Sequence, residues 1–238
     1  MEALLLAGGK GERLGEAAGG KPKPLVRVGG RPLAAYTVAH LARAGVERVI
    51  VACAAGLEEP FERELGGLGA DVVAVGEPQP LGRGGGLRLA ASRREETGAV
   101  LAANGDELLD VDVEELLAHH RARRAAATIV VAPLRSPFGV VDVADDDDQV
   151  LAFREAPRLP LWVNAGLYVF EDEVLAQLPE RGDHETTTFP ELAAEGRLFA
   201  YRHEGVWLTV NTPKDLRAAE EFVAADPTWR EVTVGAAG

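Results

Sequence analysis

The first 25 residues constrain the fold and function of this chain more than any other stretch. An apolar run at residues 2–7 (EALLLA) predicts a buried strand, and residues 8–14 (GGKGERL) follow it directly. Residues 21–25 (KPKPL) add two further lysines close by. Glycines let backbone N–H groups approach phosphate oxygens, and lysine and arginine side chains offset the negative charge. The stretch therefore predicts a site for a polyanionic ligand.

Two well-known phosphate-binding motifs do not match this stretch. The dinucleotide fingerprint requires a glycine at the position of Leu14. The P-loop pattern is nearly met by residues 15–21, but Pro22 stands where a Ser or Thr should ligate magnesium. Pro22 and Pro24 also prevent the helix that the P-loop needs at this point. Both motifs are therefore rejected.

Composition limits the classes to which the chain can belong. Its 238 residues suffice for one domain with a sizeable core, and a net charge of −13 argues against non-specific nucleic-acid binding. No apolar run reaches the ~18 residues of a membrane span, and no signal peptide is visible, so a cytoplasmic location is expected. The single cysteine, Cys53, excludes an intrachain disulfide and is expected to be a buried core thiol.

Strand and helix patterns alternate over the first half of the chain. Strands are predicted at residues 2–7, 48–54, 71–75 and 99–103. Helices are predicted at residues 32–44, 58–65, 84–94 and 113–124. Glu107 and Asp110 are interpreted as loop residues or residues at the start of a helix. This order predicts an α/β fold with a Rossmann-like, doubly wound, mixed but mainly parallel sheet, which binds ligands at the carboxyl ends of its strands.

The pattern changes in the second half of the chain. Strands predicted at residues 127–134, 139–143, 150–155 and 162–170 should form a mixed-sheet extension and the other wall of the cleft. The acidic run at residues 144–148 is interpreted as a solvated hairpin turn rather than a metal site. Short helices are predicted at residues 173–178 and 189–195, strands at 198–203 and 206–210, and a closing helix at 213–224. Thr212 is the expected N-cap of that helix, and residues 227–238 are expected to be a tail.

The N-terminal motifs resemble the signature of the sugar-1-phosphate nucleotidyltransferases. Residues 6–14 match the pattern L-A-G-G-x-G-x-R-L of that family, and residues 22–25 match its P-K-P-L segment. Three later stretches resemble further family segments in the same order: residues 76–87 (GEPQPLGRGGGL), 153–157 (FREAP) and 164–170 (NAGLYVF). The resemblance implies one nucleotidyltransferase domain at residues 1–226, with a nucleotide-binding half at about 1–112 and a sugar-binding half at about 113–226.

The resemblance also implies roles for individual residues. Arg13, Lys23 and Asp106 are the predicted catalytic residues, with Arg13 on the triphosphate and Lys23 on the attacking sugar phosphate. The predicted nucleotide-binding residues are Leu6, Ala7, Gly8, Gly9, Gly11, Arg13, Glu77, Gly82, Arg83 and Asn104. The predicted sugar-binding residues are Gly105, Glu155 and Asn164. The glycines near Arg83 should pass closely over the base and ribose, and Arg83 should reach the triphosphate or close over the base.

The expected metal site departs from the usual family pattern. In the family, the aspartate that corresponds to Asp106 binds magnesium, and many members read W-x-D-I-G-T-P further on, with the aspartate as second ligand. This chain reads WLTVNTP at residues 207–213, so Thr209 stands at the aspartate position. Asn211 is the predicted second ligand, as in uridylyltransferases that act on N-acetylglucosamine 1-phosphate. The alternative is that Asn211 only caps the closing helix together with Thr212.

The function implied by the resemblance is an enzyme that uses Mg²⁺. It would join a nucleoside triphosphate and a sugar 1-phosphate to give a nucleotide sugar and pyrophosphate. Its expected partners are these two small molecules, with no nucleic acid and no membrane. Residues 211–216 (NTPKDL) also resemble guanylyltransferases that act on cobinamide phosphate or the molybdenum cofactor. A catalytically inactive binding relative is the remaining alternative.

Overall fold

Alternating apolar and amphipathic segments fold into a central sheet with helices packed against it. The computed structural model of the chain describes residues 1–9 and 11–231. The strands are β1 Glu2–Leu6, β2 Arg27–Val28, β3 Arg31–Pro32, β4 Arg48–Ala54, β5 Asp71–Glu77, β6 Val100–Asn104, β7 Glu107–Leu109, β8 Ala127–Arg135, β9 Val140–Val143, β10 Val150–Arg154, β11 Arg158–Phe170, β12 Leu198–Arg202 and β13 Trp207–Thr209. The α-helices are α1 Leu33–Arg43, α2 Glu58–Leu65, α3 Gly82–Ala91, α4 Val113–Arg123, α5 Asp172–Gln177, α6 Thr188–Ala194, α7 Pro213–Ala225 and α8 Pro227–Glu231. Two 3₁₀-helices, Glu12–Ala18 and Lys23–Leu25, lie in the N-terminal loop.

The central sheet has seven strands in the order β12-β8-β11-β6-β1-β4-β5. All neighbours pair in parallel except at β11, which is antiparallel to both β6 and β8. The predicted Rossmann-like, mainly parallel sheet is therefore confirmed. β1 lies between β4 and β6, and such a reversal of strand order is where doubly wound sheets bind ligands. Leu6 pairs with Asn104, so the loops after β1 and β6 start side by side.

Both faces of β1 are buried, which explains its continuous apolar run. Ala3 and Leu5 belong to one core cluster with Phe61 of α2. Leu4 belongs to a second cluster with Leu87 of α3. Burying a leucine side chain of this kind contributes roughly 1.5–3 kcal/mol to stability. The packing on both faces holds β1 firmly, and with it the start of the glycine-rich loop.

The second half of the chain extends this sheet. β8 and β11 join it as the predicted mixed extension, whereas β9 and β10 leave it and form a separate antiparallel hairpin. The acidic residues 145–148 lie in the hairpin turn and are mostly exposed. Within the described residues, no group of three or more His, Cys, Asp or Glu side chains is arranged to hold a metal. The short pair of β7 with β13 was not predicted, and it places Glu107 on a strand rather than in a loop.

The predicted C-terminal tail is partly wrong. Residues 227–231 form the helix α8. Trp229 of this helix is buried against Tyr36 of α1 and Phe222 of α7, with ring centroids 6.1 and 5.4 Å away. An indole gains favourable burial there, so the helix stays on the domain rather than extending into solvent. The rest of the predicted tail, residues 232–238, lies outside the described residues.

Two expectations based on composition can be compared with the fold. Cys53 has no exposed surface in β4, and burial, followed by the nearby Glu58, raises the pKa of its thiol to about 12. The predicted buried core thiol is thus confirmed. Across residues 1–9 and 11–231, no helix combines the length and the apolar content that a membrane crossing requires.

Candidate active site

The glycine-rich loop lies at the carboxyl end of β1. Gly8 and Gly9 are exposed there, and Gly11 has a φ of 69°, a conformation that residues with side chains rarely adopt. This turn leads the chain into the 3₁₀-helix Glu12–Ala18, on which Arg13 is exposed. The loop therefore exposes the backbone of Gly8 and Gly9 and the Arg13 side chain beside the carboxyl end of β1.

Lys23 brings three distant segments of the chain together. Its backbone N–H donates to the Gly9 carbonyl at 3.1 Å, and the residue is only 8% exposed. Its Nζ donates to Asp106 Oδ2 at 2.6 Å and to Asn211 Oδ1 at 2.7 Å. Charge-assisted hydrogen bonds of this length are strong and directional. The loops after β1, β6 and β13 therefore meet at one ammonium group.

The same two oxygens are suited to a divalent cation. Lys23 Nζ acts as a stand-in, because one positive centre is contacted at once by Asp106 Oδ2 and Asn211 Oδ1. Mg²⁺ prefers hard oxygen ligands and is commonly held by one or two carboxylates together with water and substrate phosphates. The donor set of this pair therefore fits Mg²⁺, in competition with the lysine ammonium.

Asn211 is separate from the helix cap. The Thr212 side chain accepts from the backbone N–H of Asp215 and closes a capping box at the start of α7. Asn211 takes part in this cap only through its own backbone N–H, which donates to Asp215 Oδ2 at 3.1 Å. Its side chain contacts Lys23 instead, so the interpretation of Asn211 as only a cap is wrong. Thr209 borders a different, smaller hollow beside Asp215.

These groups line one cavity of about 440 Å³ at the carboxyl ends of the strands. Its predicted lining residues are Leu6, Gly8, Gly9, Arg13, Lys23, Glu77, Gly82, Arg83, Asn104, Asp106 and Asn211. The lining residues that the sequence did not indicate are Pro24, Pro80, Glu107 and Asp183. Small-molecule sites are commonly concave pockets of roughly 300–1,000 Å³ with a few convergent polar groups. The cavity has both properties.

Some predicted nucleotide-site and sugar-site residues lie outside this cavity. Ala7 is buried, and its N–H donates to the Ala52 carbonyl at 2.8 Å. Ala7 and Gly11 border a neighbouring hollow beside the glycine-rich loop. Gly105 is also buried, and its N–H donates a hydrogen bond to the Leu6 carbonyl at 2.9 Å. The backbone N–H groups of Ala7 and Gly105 therefore hold the two loops to the sheet, and neither is presented to the cavity.

Two further predicted sugar contacts also lie outside the cavity. Glu155 is exposed just beyond the end of β10. The Asn164 amide nitrogen donates to the Tyr168 hydroxyl at 2.8 Å and to Glu185 at 2.9 Å. Its amide oxygen accepts from the Gly166 N–H at 3.0 Å. The Asn164 side chain is therefore engaged within the protein, and its predicted sugar contact would require these bonds to rearrange.

Glu107 is a lining residue that the sequence interpretation missed. Its Oε2 accepts from the indole N–H of Trp207 at 3.2 Å, and its Oε1 accepts from the Asn104 amide at 3.4 Å. Burial, followed by the negative charge of Asp106, raises the pKa of Glu107 to about 7 despite these two hydrogen bonds. The sequence offers no signal for this position, because the pairing of β7 with β13 is what aligns Glu107 with the cavity.

The glycines at the start of α3 are packed under residues 179–184. A Cβ at Gly84 would lie 2.6 Å from the Pro179 ring, and one at Gly85 would lie 2.6 Å from the Glu180 carbonyl oxygen. Side chains cannot fit at such distances without movement of the backbone. The interpretation that these glycines pass over a base and ribose is therefore incomplete, since the chain itself requires two of them.

Arg83 pairs with acidic residues of the neighbouring segment. Its Nη2 lies 3.2 Å from Asp183 Oδ2 and 2.5 Å from Glu185 Oε2, and its backbone N–H donates to Asp183 Oδ1 at 2.8 Å. Glu185 also accepts from Asn164, so a continuous set of polar contacts runs from α3 to β11. Asp183 is distant from Arg83 in sequence, which is why no local pattern indicated this pairing.

His184 is fully buried beneath the same segment. Its ring lies edge-on to Phe189 and Tyr168, with centroids 4.7 and 5.4 Å away. Burial lowers the pKa of His184 to about 4; Arg83 lowers it further and Asp183 opposes the shift. Neither ring nitrogen has a hydrogen-bond partner in the part of the chain that the structure describes. The imidazole is therefore neutral at neutral pH.

Comparison with protein families and curated proteins gives consistent matches. A family model described as nucleotidyl transferase matches residues 2–226. Mannose-1-phosphate guanylyltransferase of Mycobacterium tuberculosis is 35% identical over 94% of this chain and 65% of its own length. The catalytic subunit beta of the same enzyme is 31% identical in Dictyostelium discoideum, over 90% of this chain and 62% of its own. The catalytic subunit beta of Xenopus tropicalis is 32% identical, over 100% of this chain and 70% of its own length. The chain thus spans about two thirds of the length of these relatives.

Solved structures resemble the fold at lower sequence identity. HddC from Yersinia pseudotuberculosis, complexed with GMP-PN, superposes with a TM-score of 0.72 at 21% identity, covering 93% of this chain and 98% of its own. A putative glucose-1-phosphate thymidylyltransferase from Bacillus anthracis, in complex with a sucrose, has a TM-score of 0.74 at 18% identity. It covers 93% of this chain and 95% of its own. At these identities the likeness concerns the fold.

Proposed function

The chain belongs to the nucleotidyl transferase family, and from that membership we propose that it joins a nucleoside triphosphate to a sugar 1-phosphate. An oxygen of the sugar phosphate attacks the α-phosphorus of the triphosphate. The bond from that phosphorus to the β-phosphate oxygen breaks, and pyrophosphate leaves with the electron pair. The attacking phosphate is already ionised at neutral pH, so the reaction needs no general base.

The observation that carries this proposal is the convergence of Lys23, Asp106 and Asn211 beside the glycine-rich loop. Transfer of a phosphorus centre needs little covalent help from the protein. It depends on positive charge placed at the phosphate oxygens and on alignment of the reacting groups. A buried ammonium beside a carboxylate and an amide oxygen supplies this combination at one point of the cavity.

Each group has a proposed role. The backbone around Gly8 and Gly9 and the guanidinium of Arg13 bind the triphosphate, and Lys23 neutralises the attacking phosphate. Asp106 and Asn211 would hold Mg²⁺, which when bound would neutralise phosphate charge. In this arrangement most of the nucleotide site comes from the half at about 1–112, the half at about 113–226 contributes mainly to the sugar side, and residues of both halves line the single cavity.

We also propose that the substrates are GTP and mannose 1-phosphate, the pair implied by the names of the relatives. Glu77 and Asp183 line the cavity; both oxygens of Asp183 accept from Arg83, whereas Glu77 accepts from the Leu81 N–H through Oε2 and keeps Oε1 for a base. Guanine presents two neighbouring N–H donors on its base-pairing edge, and an ionised carboxylate is an acceptor with two oxygens. Adenine has only one donor on that edge, beside an unprotonated ring nitrogen, so carboxylates at this point favour guanine.

Pyrophosphate release by the purified chain tests the proposal. Four nucleoside triphosphates would be combined with the 1-phosphates of mannose, glucose, N-acetylglucosamine and heptose in the presence of Mg²⁺, with Asp106→Asn as the inactive control. Release is expected to be fastest with GTP and mannose 1-phosphate. Cobinamide phosphate and the molybdenum cofactor would be tested as further acceptors. Release only with one of these would support the alternative acceptors, and no release with any pair would support a binding relative.

A further inference from the structure

Glu107 is a cavity residue to which neither the family resemblance nor the proposed reaction gives a role. It begins β7 directly after Asp106 and pairs with Thr209 of β13 in the register of the two strands. Its carboxylate accepts from Trp207 Nε1 at 3.2 Å and from Asn104 Nδ2 at 3.4 Å. The two oxygens of a carboxyl group can each accept more than one hydrogen bond, so these two long bonds leave capacity for a further donor.

The backbone of β11 makes room for this carboxylate. Gly166 has a φ of 70°, and a Cβ at that position would lie 2.4 Å from Glu107 Oε2 and 2.5 Å from Asn104 Nδ2. Only a residue without a side chain therefore leaves the pair in place. A half-buried carboxylate oriented by an indole and an amide, with a glycine opposite, is arranged as a site rather than as a solvated surface charge.

Glu107 is not among the hydrogen-bond partners of the cation. The Lys23 ammonium donates to Asp106 and Asn211, whereas its influence on Glu107 is electrostatic and opposes the rise in the pKa of that residue. The neighbours of Glu107 come from β6, β11 and β13. In the sheet, β6 and β11 lie on the opposite side of β1 from β4 and from β5, whose last residue is Glu77. The carboxylate therefore lies on the β6 and β11 side of the cavity, on the opposite side of β1 from Glu77.

We propose that Glu107 is a specificity residue of the sugar subsite, where its carboxylate accepts a hydrogen bond from a hydroxyl group of the sugar 1-phosphate. This inference rests on the proposed function. With its phosphate at Lys23, the sugar ring extends toward β11, and a hydroxyl is the donor that it offers there. Sites built to pair with a substrate hydroxyl discriminate strongly against the analogue that lacks it.

A series of deoxy substrates tests the inference directly. Wild type, Glu107→Ala and Glu107→Gln would be assayed with the preferred sugar 1-phosphate and with its 2-, 3-, 4- and 6-deoxy forms. In wild type, one deoxy form should lose about tenfold in kcat/KM, as expected for one lost hydrogen bond. Glu107→Ala should lose a similar factor with the parent sugar and should no longer distinguish that deoxy form. The KM for the triphosphate should stay within about twofold of wild type.

Two further variants and a stability measurement separate this role from a structural one. Asp110→Asn changes an acidic residue of the same region that accepts from the Val206 N–H outside the cavity, and it should keep the wild-type deoxy pattern. Trp207→Phe removes one donor to Glu107 and should weaken the discrimination without abolishing it. Thermal unfolding shows whether Glu107→Ala folds; if it does not, Glu107→Gln decides the question, with a reduced but measurable preference expected.

The possible outcomes are distinct. If Glu107→Ala and Glu107→Gln slow the use of both substrates equally and keep the wild-type deoxy pattern, Glu107 is structural and the inference is wrong. The same conclusion follows if the loss in Glu107→Ala is reversed by higher Mg²⁺, which would place the residue on the cation. If wild type itself forms no nucleotide sugar, the proposed function fails first, and this inference fails with it.

Discussion

The Lys23 ammonium lies 2.6 Å from the Asp106 carboxylate, although 83 positions separate the two residues in sequence. The pair is unevenly buried, with the side chain of Lys23 9% exposed and that of Asp106 33% exposed. The Lys23 side chain is thus enclosed by the protein, whereas part of the Asp106 carboxylate remains exposed. Each residue holds the other in place before any substrate arrives, and binding of Mg²⁺ to Asp106 and Asn211 would require the ammonium to give up contacts with these two oxygens.

Replacing Asp106 with Asn should lower turnover by about a hundredfold or more. Loss of a single preorganised electrostatic contact in an active site commonly has an effect of this size. The change removes the negative charge and keeps the side-chain volume, so the fold should survive. Steady-state pyrophosphate release at saturating Mg²⁺, with circular dichroism for the fold, measures both effects. Asp110→Asn is the matched control outside the cavity, and near wild-type turnover in Asp106→Asn would mean that the metal assignment is wrong.

Lys23→Ala and Arg13→Ala should affect different substrates. Both residues line the cavity, but Lys23 is buried, whereas Arg13 is exposed. Loss of Lys23 should reduce kcat and weaken sugar 1-phosphate binding, and loss of Arg13 should raise the KM for the triphosphate above all. Kinetics with each substrate varied in turn distinguish the two. Equal effects of both variants on both substrates would contradict this division.

Substitutions at Asn211 should change the Mg²⁺ requirement. Asn211→Asp adds a second carboxylate at the point where Lys23 Nζ now lies 2.7 Å from the amide oxygen, so it should tighten Mg²⁺ binding. Asn211→Ala should weaken Mg²⁺ binding and slow turnover. Thr209→Asp should change neither, because Thr209 borders a different hollow. Mg²⁺ titrations of activity, together with direct Mn²⁺ binding, measure the effect.

The control for Asn211 is the neighbouring cap residue. Thr212→Ala removes the side chain that accepts from Asp215 and should cost about 1 kcal/mol of stability, as lost caps do. It should leave the Mg²⁺ dependence unchanged. If Asn211→Ala behaved like Thr212→Ala, with lower stability and normal Mg²⁺ dependence, Asn211 would be a structural residue.

Gly85→Ala should destabilise the protein, although glycine is normally a poor residue inside a helix. An exposed helical position would gain about 1 kcal/mol from this change. At Gly85 the new methyl group would lie 2.6 Å from the Glu180 carbonyl oxygen, so residues 179–184 must move. A loss of roughly 1–3 kcal/mol in urea unfolding is expected from such overpacking. A gain in stability would show that this segment does not pack on α3 as described.

His184 should make the protein less stable as the pH falls. Its pKa is lowered from 6.5 to about 4, so the unfolded chain takes up a proton at a higher pH than the folded one. The contribution of the neutral ring is therefore complete above pH 6.5 and is lost progressively toward pH 4, by up to about 3 kcal/mol. Urea unfolding of wild type and His184→Leu at pH 7.5, 5.5 and 4.5 tests this. Parallel loss of stability in the two proteins would rule out His184 as a cause.

The sequence was most informative where one local pattern decides the structure. The predicted bounds of β4 and α2 agree with the observed elements, because each is an apolar or amphipathic run closed by turn residues. The family resemblance assigns Lys23 and Asp106 to one site, and the two residues meet in the structure because β1 and β6 pair in parallel and the loops after them start side by side. The same logic fails for Glu107, whose position depends on the three-residue pair of β7 and β13.

Contacts between distant segments explain the remaining differences. Gly84 and Gly85 look like a ligand loop in sequence, yet the chain at residues 179–184 is what covers them. Asn164 has the residue type of a sugar contact but is bound to Tyr168 and Glu185. A short stretch of sequence cannot indicate these partners, because the packing of one loop against a distant segment depends on the whole fold.

The position of Trp229 has a consequence for modular recombination of this chain. The family match ends at residue 226, yet the indole beyond it fills a gap between Tyr36 and Phe222. A domain truncated at that boundary and moved into another protein would expose the apolar surface of Tyr36 and Phe222 that Trp229 now covers. Exposed apolar surface of this kind promotes association between copies. The smallest unit that can be moved intact therefore extends through α8.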